Sequence, residues 1–186
     1  MESNPEKSSL RKTLLEKRDA TSYDLIKISS KQIQTNLEKI EDYRNAKSIA
    51  FYYPIGSEVL TQGLMLKVLS LGKDVLLPKV IGDELEFRKV KDFDSLEKGG
   101  FDIMEPKDIC QKSDQIDVVI VPTVGISPDG SRLGYGHGYY DRFLSKTNAV
   151  SIALTYEKQI VKSVPSNQND VKINWIVTED RFFKAQ

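Results

Sequence analysis

Apolar residues recur along this chain at two spacings, one helical and one alternating, and these periods predict its elements. From Ser9 to Arg18, Leu10, Leu14 and Leu15 fall at helical spacing, with Ser8 or Ser9 available to cap the first turn. A second helical pattern runs from about Ser22 to Ile40, with Leu25, Ile28, Ile33, Leu37 and Ile40 on one side and lysines on the other. The β-branched and aromatic run SIAFYY at 48–53 predicts a first strand, ended by Pro54-Ile55-Gly56. Leu64, Val68 and Leu71 restore the helical period over 62–71, Gly72 supplies a stop, and Val75 to Leu77 before Pro78 predicts a second strand.

The alternation in ELEFRKV at 84–90 predicts a half-buried edge strand, and Gly99-Gly100 and Glu105-Pro106 punctuate the looping segment after it. Ile116 to Val121, apolar except for Asp117 and ended by Pro122, suits a central strand covered on both faces. A glycine-rich segment follows, then a short helix from about Gly138 to Lys146, a strand at Val150 to Leu154 and a last short strand at Ile173 to Val177. Strands alternating with helices predict an α/β fold. Its mostly parallel open sheet carries helices on both faces in three Rossmann-like layers, with sites at the carboxyl ends of the strands. With no repeat, low-complexity tract or linker in sight, one domain over residues 1–186 is expected.

Charge and composition narrow the function. Lys and Arg number 27 against 27 Asp and Glu, so the net charge is zero, which argues against nucleic acid as a partner. The longest aliphatic run, Val118 to Val121, falls far short of the roughly 20 residues a membrane helix needs, so no membrane partner is expected. The polar start MESNPEKSSLRK lacks the apolar stretch of a secretory signal, and a cytoplasmic location is expected. The single cysteine, Cys110, can form no intrachain disulfide and has no second cysteine for a zinc site. A monomer acting on small molecules is the expectation.

Candidate chemistry concentrates between Thr123 and Phe143, in TVGISPDGSRLGYGHGYYDRF, which holds five of the 11 glycines, the one histidine, two arginines and three tyrosines. Gly134, Gly136 and Gly138 alternate after a strand and open onto a helix. There, bare N–H groups and a helix N-terminus can cradle phosphate oxygens. Arg132 and Arg142 flank the loop and can neutralise phosphate charge, while Asp141 at the helix start can hold a magnesium ion. A plain tight turn with its tyrosines packed on the sheet is the competing reading, and the spacing matches neither the Walker A loop nor the dinucleotide fingerprint.

The run RLGYGHGYYDRFL, preceded by VVIVP, closely resembles the signature of the 5-formyltetrahydrofolate cyclo-ligases, also called 5,10-methenyltetrahydrofolate synthetases. The resemblance continues through Lys7-x-x-Leu10-Arg11, Glu58-Val59-x-Thr61, Leu77-Pro78, Glu105-Pro106 and Asn169-Asp170, in order and spacing. It implies a single α/β domain that uses ATP and Mg2+ to convert 5-formyltetrahydrofolate into 5,10-methenyltetrahydrofolate, ADP and phosphate. The chain departs from the family pattern at Thr123 and Ile126-Ser127, where relatives carry Gly and Phe-Asp, and at His137, where they carry Gly or Lys.

By this resemblance Lys7, Ser8, Ser9, Leu10 and Arg11 of the first helix contact ATP, together with the loop from Arg132 and Leu133 through Gly134, Tyr135, Gly136, His137 and Gly138 to Tyr139 and Tyr140. Arg132, Lys7 and Arg11 carry the catalytic charge. Arg11 also reaches the folate, with Tyr53, Glu58, Tyr135, Gly136, His137, Gly138 and Tyr139, and Glu58 reads the pterin N–H groups. Asp141 and Asp170 ligate the metal. Plainer roles stand beside each. Lys7 and Arg11 can be a solvated face, and Glu58 can answer the dipole of the helix near Thr61. Tyr139, Tyr140 and Trp175 can be core. Asp141 can pair with Arg142 or cap its helix, Asp170 can serve a turn after Asn167, and His137 can be an exposed loop residue. An ATP-dependent enzyme acting on a different formyl-pterin, and a nucleotide- or folate-binding relative without turnover, are the alternative functions.

Overall fold

A computed structural model describes residues 5–100 and 103–186. Helices α1 (Pro5–Asp19), α2 (Tyr23–Leu37) and α3 (Glu41–Asn45) precede strand β1 (Ser48–Ala50), helix α4 (Gln62–Ser70) and strands β2 (Asp74–Ile81) and β3 (Glu84–Val90). Short strands β4 (Leu96–Lys98) and β5 (Met104–Pro106) lead to β6 (Val118–Pro122). Strands β7 (Gly125–Ile126) and β8 (Arg132–Leu133), helix α5 (Tyr139–Leu144) and strands β9 (Val150–Leu154), β10 (Trp175–Val177) and β11 (Phe182–Lys184) follow.

Seven strands form one sheet in the order β11-β10-β9-β6-β1-β2-β3, parallel except at its two edges, where β2 pairs β3 and β10 pairs β11 antiparallel. The predicted central strand is central. Val118 to Val121 are fully buried between β1 and β9, because residues of alternating direction all meet packed elements. The edge position of 84–90 and the strand at 150–154 also hold. Ile49, Val75, Ile120 and Ile152 pack under α2, α3 and α4, whereas Ala50, Val119, Val121 and Ala153 meet α5 and the β7–β8 hairpin. Helices therefore cover both faces, unequally. Helix α1 lies apart, seated by Leu14 on Val124, Leu133 and Val164 of the hairpin region.

Several boundaries differ from expectation. Helix α1 already includes Pro5, whose fixed φ suits a first helical position, so Ser8 and Ser9 lie within the helix and do not cap it. Ser22 caps α2, with its Oγ accepting from the Leu25 N–H at 3.4 Å. Leu25 and Ile28 are 50% and 58% exposed; the buried stripe is Ile26, Ser29, Ser30, Ile33, Asn36 and Leu37. Two buried serines disguise that stripe, and Ser30 Oγ is occupied in accepting the Leu60 N–H at 3.0 Å. Ile40 lies beyond α2, in the turn into α3. Pro78 does not end β2. Phe51 N–H bonds to the Leu76 carbonyl, so alternate residue 78 also faces the β1 side, where β1 has already stopped, and no ladder bond is lost. Among the described residues no helix is long and apolar enough to cross a membrane.

Candidate active site

Parallel strands β1 and β6 are neighbours, yet from β1 the chain passes to β2 on one side and reaches β6 and β9 on the other. Such a switch point leaves a crevice at the carboxyl ends of the strands, where ligands bind in open α/β sheets. The loop after β1 brings Glu58 to it, the segment after β6 brings Thr123, and α1 lies across both.

The glycine loop builds one wall. Gly136 and Gly138 adopt φ of 104° and 70°, a left-handed conformation that side chains resist. All three glycines also make room for arginines. A Cβ on Gly134 would stand 2.9 Å from Arg132 Nη1, one on Gly138 2.8 Å from Arg142 Nη1, and one on Gly136 3.4 Å from Arg11 Nη2. Guanidiniums from β8, α1 and α5 thus converge on one short backbone. Arg11 is fixed there by its Nε–H, which donates to the Gly134 carbonyl at 2.7 Å. Arg142 Nε–H donates to the Asp83 carbonyl at 2.7 Å.

Arg132 is 8% exposed, lies over the Tyr140 ring at 5.8 Å, and bonds through Nη2 to Asp141 Oδ1 at 3.0 Å. Its buried Nε and the buried Tyr140 hydroxyl have no hydrogen-bond partner among the described residues. Buried donors of this kind call for an acceptor, which a water or a bound ligand can supply. Lys7 Nζ lies 2.5 Å from Asp170 Oδ2, which also accepts the Asn167 N–H at 2.7 Å; Asp141 Oδ1 accepts the Val171 N–H at 3.2 Å. The 170–171 segment therefore links the two carboxylates. Each keeps a second oxygen that can ligate a cation. Among the described residues no three His, Cys, Asp or Glu side chains gather to hold a metal, and Asp141 and Asp170 are the carboxylates beside the loop whose chemistry suits a hard cation.

Glu58 builds the opposite wall. It is 4% exposed and closes its own turn: its N–H donates to the Ile55 carbonyl at 3.1 Å and its Oε2 accepts the Ile55 N–H at 2.9 Å. Gly56, at φ 54°, makes that turn possible. Oε1 accepts the Tyr135 hydroxyl at 3.0 Å, and that hydroxyl accepts from Arg18 Nη2 at 2.7 Å. Burial raises the Glu58 pKa, opposed by the Ile55 N–H, Arg18 and Tyr135. Burial and the neighbouring Glu58 push the Tyr135 phenol up to about 12.

Lys7, Arg11 and Arg132 thus gather around the glycine loop, with Asp141 and Asp170 beside them. Tyr135 links the loop to Glu58. Leu10 and Leu133 join the cluster that seats α1, and His137 stacks on Tyr139 with ring centroids 5.7 Å apart. Ser8 lies half-buried and Ser9 exposed on α1. Tyr53 packs edge-on against Phe93 at 6.4 Å. Asp141 pairs with Arg132 rather than Arg142, and Asp170 both closes its turn and meets Lys7. Glu58 answers a turn and a tyrosine rather than a helix dipole. Trp175 is half-buried at the core's edge, held by its Nε1–H donating to Asp42 Oδ2 at 2.8 Å. Ser127 points away into the β7–β8 turn, donating to Asp129 Oδ1 at 2.6 Å. Sequence reasoning missed Arg18, although residues 7, 11, 14 and 18 share one helical face.

Fold and site together define an open-sheet α/β protein with an arginine-lined glycine loop facing a buried carboxylate. A sequence model of the 5-formyltetrahydrofolate cyclo-ligase family matches residues 3–179. The NMR structure of an Aquifex aeolicus 5,10-methenyltetrahydrofolate synthetase superposes with a TM-score of 0.88 at 32% identity, over 97% of this chain and 93% of that one. A 5,10-methenyltetrahydrofolate synthetase from Mycoplasma pneumoniae gives 0.76 at 28% identity, over 93% and 98%. A 5-formyltetrahydrofolate cyclo-ligase of that organism is 30% identical over 182 residues, 94% of this chain and 99% of the relative. The chain belongs to the 5-formyltetrahydrofolate cyclo-ligase family.

Proposed function

We propose that this chain closes 5-formyltetrahydrofolate to 5,10-methenyltetrahydrofolate, using ATP and releasing ADP and phosphate. The observation that carries the nucleotide part is the approach of Arg132, Arg11 and Arg142 to three successive glycines, with a buried Arg132 Nε awaiting an acceptor. Such a cluster suits a polyphosphate, whose oxygens accept from guanidiniums and bare backbone N–H groups together. The folate part rests on family membership and on Glu58, a buried carboxylate able to accept paired N–H groups of a pterin.

A formamide carbonyl is a poor electrophile, and its oxygen leaves poorly. In the proposed reaction the formyl oxygen attacks the γ-phosphorus, the bond to the bridging oxygen breaks, and ADP departs. The resulting iminium phosphate is attacked at carbon by the folate's own anilino nitrogen, which loses its proton. Phosphate then leaves with the former formyl oxygen. Transfers of this kind need in-line positioning and charge neutralisation rather than an enzyme nucleophile. Lys7, Arg11 and Arg132 supply the charge; Tyr53, Tyr135 and Glu58 orient the folate. Asp141 and Asp170 would hold Mg2+, which would supply further neutralisation of phosphate oxygens.

The test is absorbance at the methenyl-folate band after mixing protein, 5-formyltetrahydrofolate, magnesium and ATP, with ATP omitted as control. An ATP-dependent rise is expected. A flat trace from folded, ATP-binding protein would overturn the assignment in favour of another formyl-pterin or of binding without turnover.

A further inference from the structure

Arg18 ends the buried face of α1 and is 3% exposed, an unusual place for a guanidinium. Its Nε–H donates to Ser57 Oγ at 2.9 Å, Nη1 to the Thr123 carbonyl at 3.3 Å and Nη2 to the Tyr135 hydroxyl at 2.7 Å. One side chain therefore ties α1 to the loop after β1, to the segment after β6 and to the glycine loop. The order of donation follows from chemistry. A guanidinium only donates, and a phenol carries one proton. With Arg18 donating to the Tyr135 oxygen, the phenol proton is directed to Glu58 Oε1, 3.0 Å away. Ser57 repeats the logic, accepting from Arg18 and donating to the Asp19 carboxylate.

We propose that Arg18 is a positioning residue of the folate site: by donating to Tyr135 it commits that hydroxyl's proton to Glu58 and keeps Glu58 set as an acceptor for pterin N–H groups. This rests on the reading of Glu58 as the pterin acceptor. Arg18 is not placed against the ligand; it acts through the Tyr135 hydroxyl and through its charge near Glu58. The groups facing Glu58 are Arg18 from α1, Tyr135 from the glycine loop, Tyr52 beyond β1, Tyr140 on α5 and Tyr156 beyond β9, while Asp19 acts on Arg18. Arg18 is the cation of that set, and it opposes the upward push that burial exerts on Glu58. Without it, Glu58 takes up a proton at higher pH, and a protonated Glu58 is a donor that opposes the pterin N–H groups.

The test compares Arg18→Gln, Tyr135→Phe and the double variant. Arg18→Gln is expected to move the acidic limb of kcat/KM for the folate up by about one pH unit, which raises KM about tenfold on the acidic side of that limb. The KM for ATP should stay within about twofold. Because part of the Arg18 effect on Glu58 passes through Tyr135, the double variant should cost less than the sum of the two single changes. Additive losses, or a fall in kcat with an unmoved acidic limb, would overturn the proposal. Carboxyl-carbon NMR of Glu58, assigned by the signal lost in Glu58→Gln, needs no substrate. Should the wild type fail to turn over this folate, that functional reading fails alone, and an unmoved Glu58 titration in Arg18→Gln would still sink the relay. If Arg18→Gln does not fold, Tyr135→Phe at an exposed ring decides: the proposal requires Glu58 to titrate at higher pH in it, and no change overturns it.

Discussion

Arg132 shows how much one buried side chain is asked to do. Its guanidinium meets Asp141 at 3.0 Å, leaves Nε without a partner and presses on Gly134, so its fixed charge faces the loop without needing to reorganise. Replacing it by Ala should lower kcat/KM at least about tenfold, or roughly 1.4 kcal/mol of transition-state stabilisation. Steady-state kinetics checks this, and an unchanged kcat/KM removes Arg132 from the mechanism. Glu58 makes the complementary case, since its burial is a cost to the fold. Its pKa is raised above the ordinary 4.5, so the folded state binds its proton more readily than the unfolded chain does. Stability from this group is accordingly lost as pH rises above 4.5 towards the folded value. Glu58→Gln should therefore melt higher than wild type near neutral pH, with the gap closing below 4.5, while folate binding weakens. Melting curves across pH, beside folate titrations, show whether both halves hold. At this scale the sequence was legible where motif residues carry formal charge, as at Lys7, Arg11, Arg132 and Glu58. It was silent on Arg18, because a polar residue on an apolar helical face reads as the helix's edge until its three acceptors, each from a distant segment, are placed around it.

Two glycines of one segment separate fold from function at the scale of elements. Gly130 sits in the β7–β8 turn at φ 84°, and a Cβ there would lie 2.6 Å from the Ile173 carbonyl oxygen. Backbone cannot yield as a side chain can. Gly130→Ala should destabilise by about 1–3 kcal/mol through combined strain and clash. Gly134 is outside the left-handed region, and its Cβ would meet only the end of Arg132, at 2.9 Å. Gly134→Ala should shift stability by no more than about 0.5 kcal/mol, the usual range for changes away from the core, while raising the KM for ATP severalfold by displacing that guanidinium. Denaturant unfolding and ATP kinetics on the pair test the contrast; the same loss pattern in both would mean that the loop is only a turn. The long, strongly patterned elements were those readable from sequence. Val118 to Val121 and Val150 to Leu154 announce buried strands by composition, and Gly138 with its aromatic run announces α5. The hairpins β4–β5 and β7–β8 and the edge strand β11 are two or three residues long, too short to show a period, and exist through pairing with partners elsewhere in the chain. Helix α2 misled because buried serines replaced the apolar residues that would have marked its inner face.

Across the whole molecule, the main core and the proposed ligand site lie on different surfaces. The large cluster under α2, α3 and α4 holds the sheet from one side and includes Ile33, Leu37, Leu64, Met65 and Val68. Helix α1 instead rests on a small cluster, Leu14, Val124, Leu133 and Val164 with Leu10, Leu15 and Val161 packed against it, and Lys7, Arg11 and Arg18 add polar ties to the body. Few buried apolar contacts mark a segment that opens at lower free energy than the core. A ligand held between α1 and the glycine loop would add the missing contacts on both sides at once. Binding to the folded state alone stabilises by RT ln(1 + [L]/Kd), about 2.7 kcal/mol at a hundredfold excess over Kd. Most of that gain should appear locally. With a non-hydrolysable ATP analogue and magnesium, amide exchange is expected to slow in residues 5–19 and 132–144, while α2 and α4 keep their rates. Removing magnesium should weaken the protection, because the Asp141 and Asp170 carboxylates would then meet the phosphates without a metal charge to offset the repulsion. Protection confined to the α2–α4 face, or slowing spread evenly over the chain, would show that the nucleotide is not held where α1 crosses the loop.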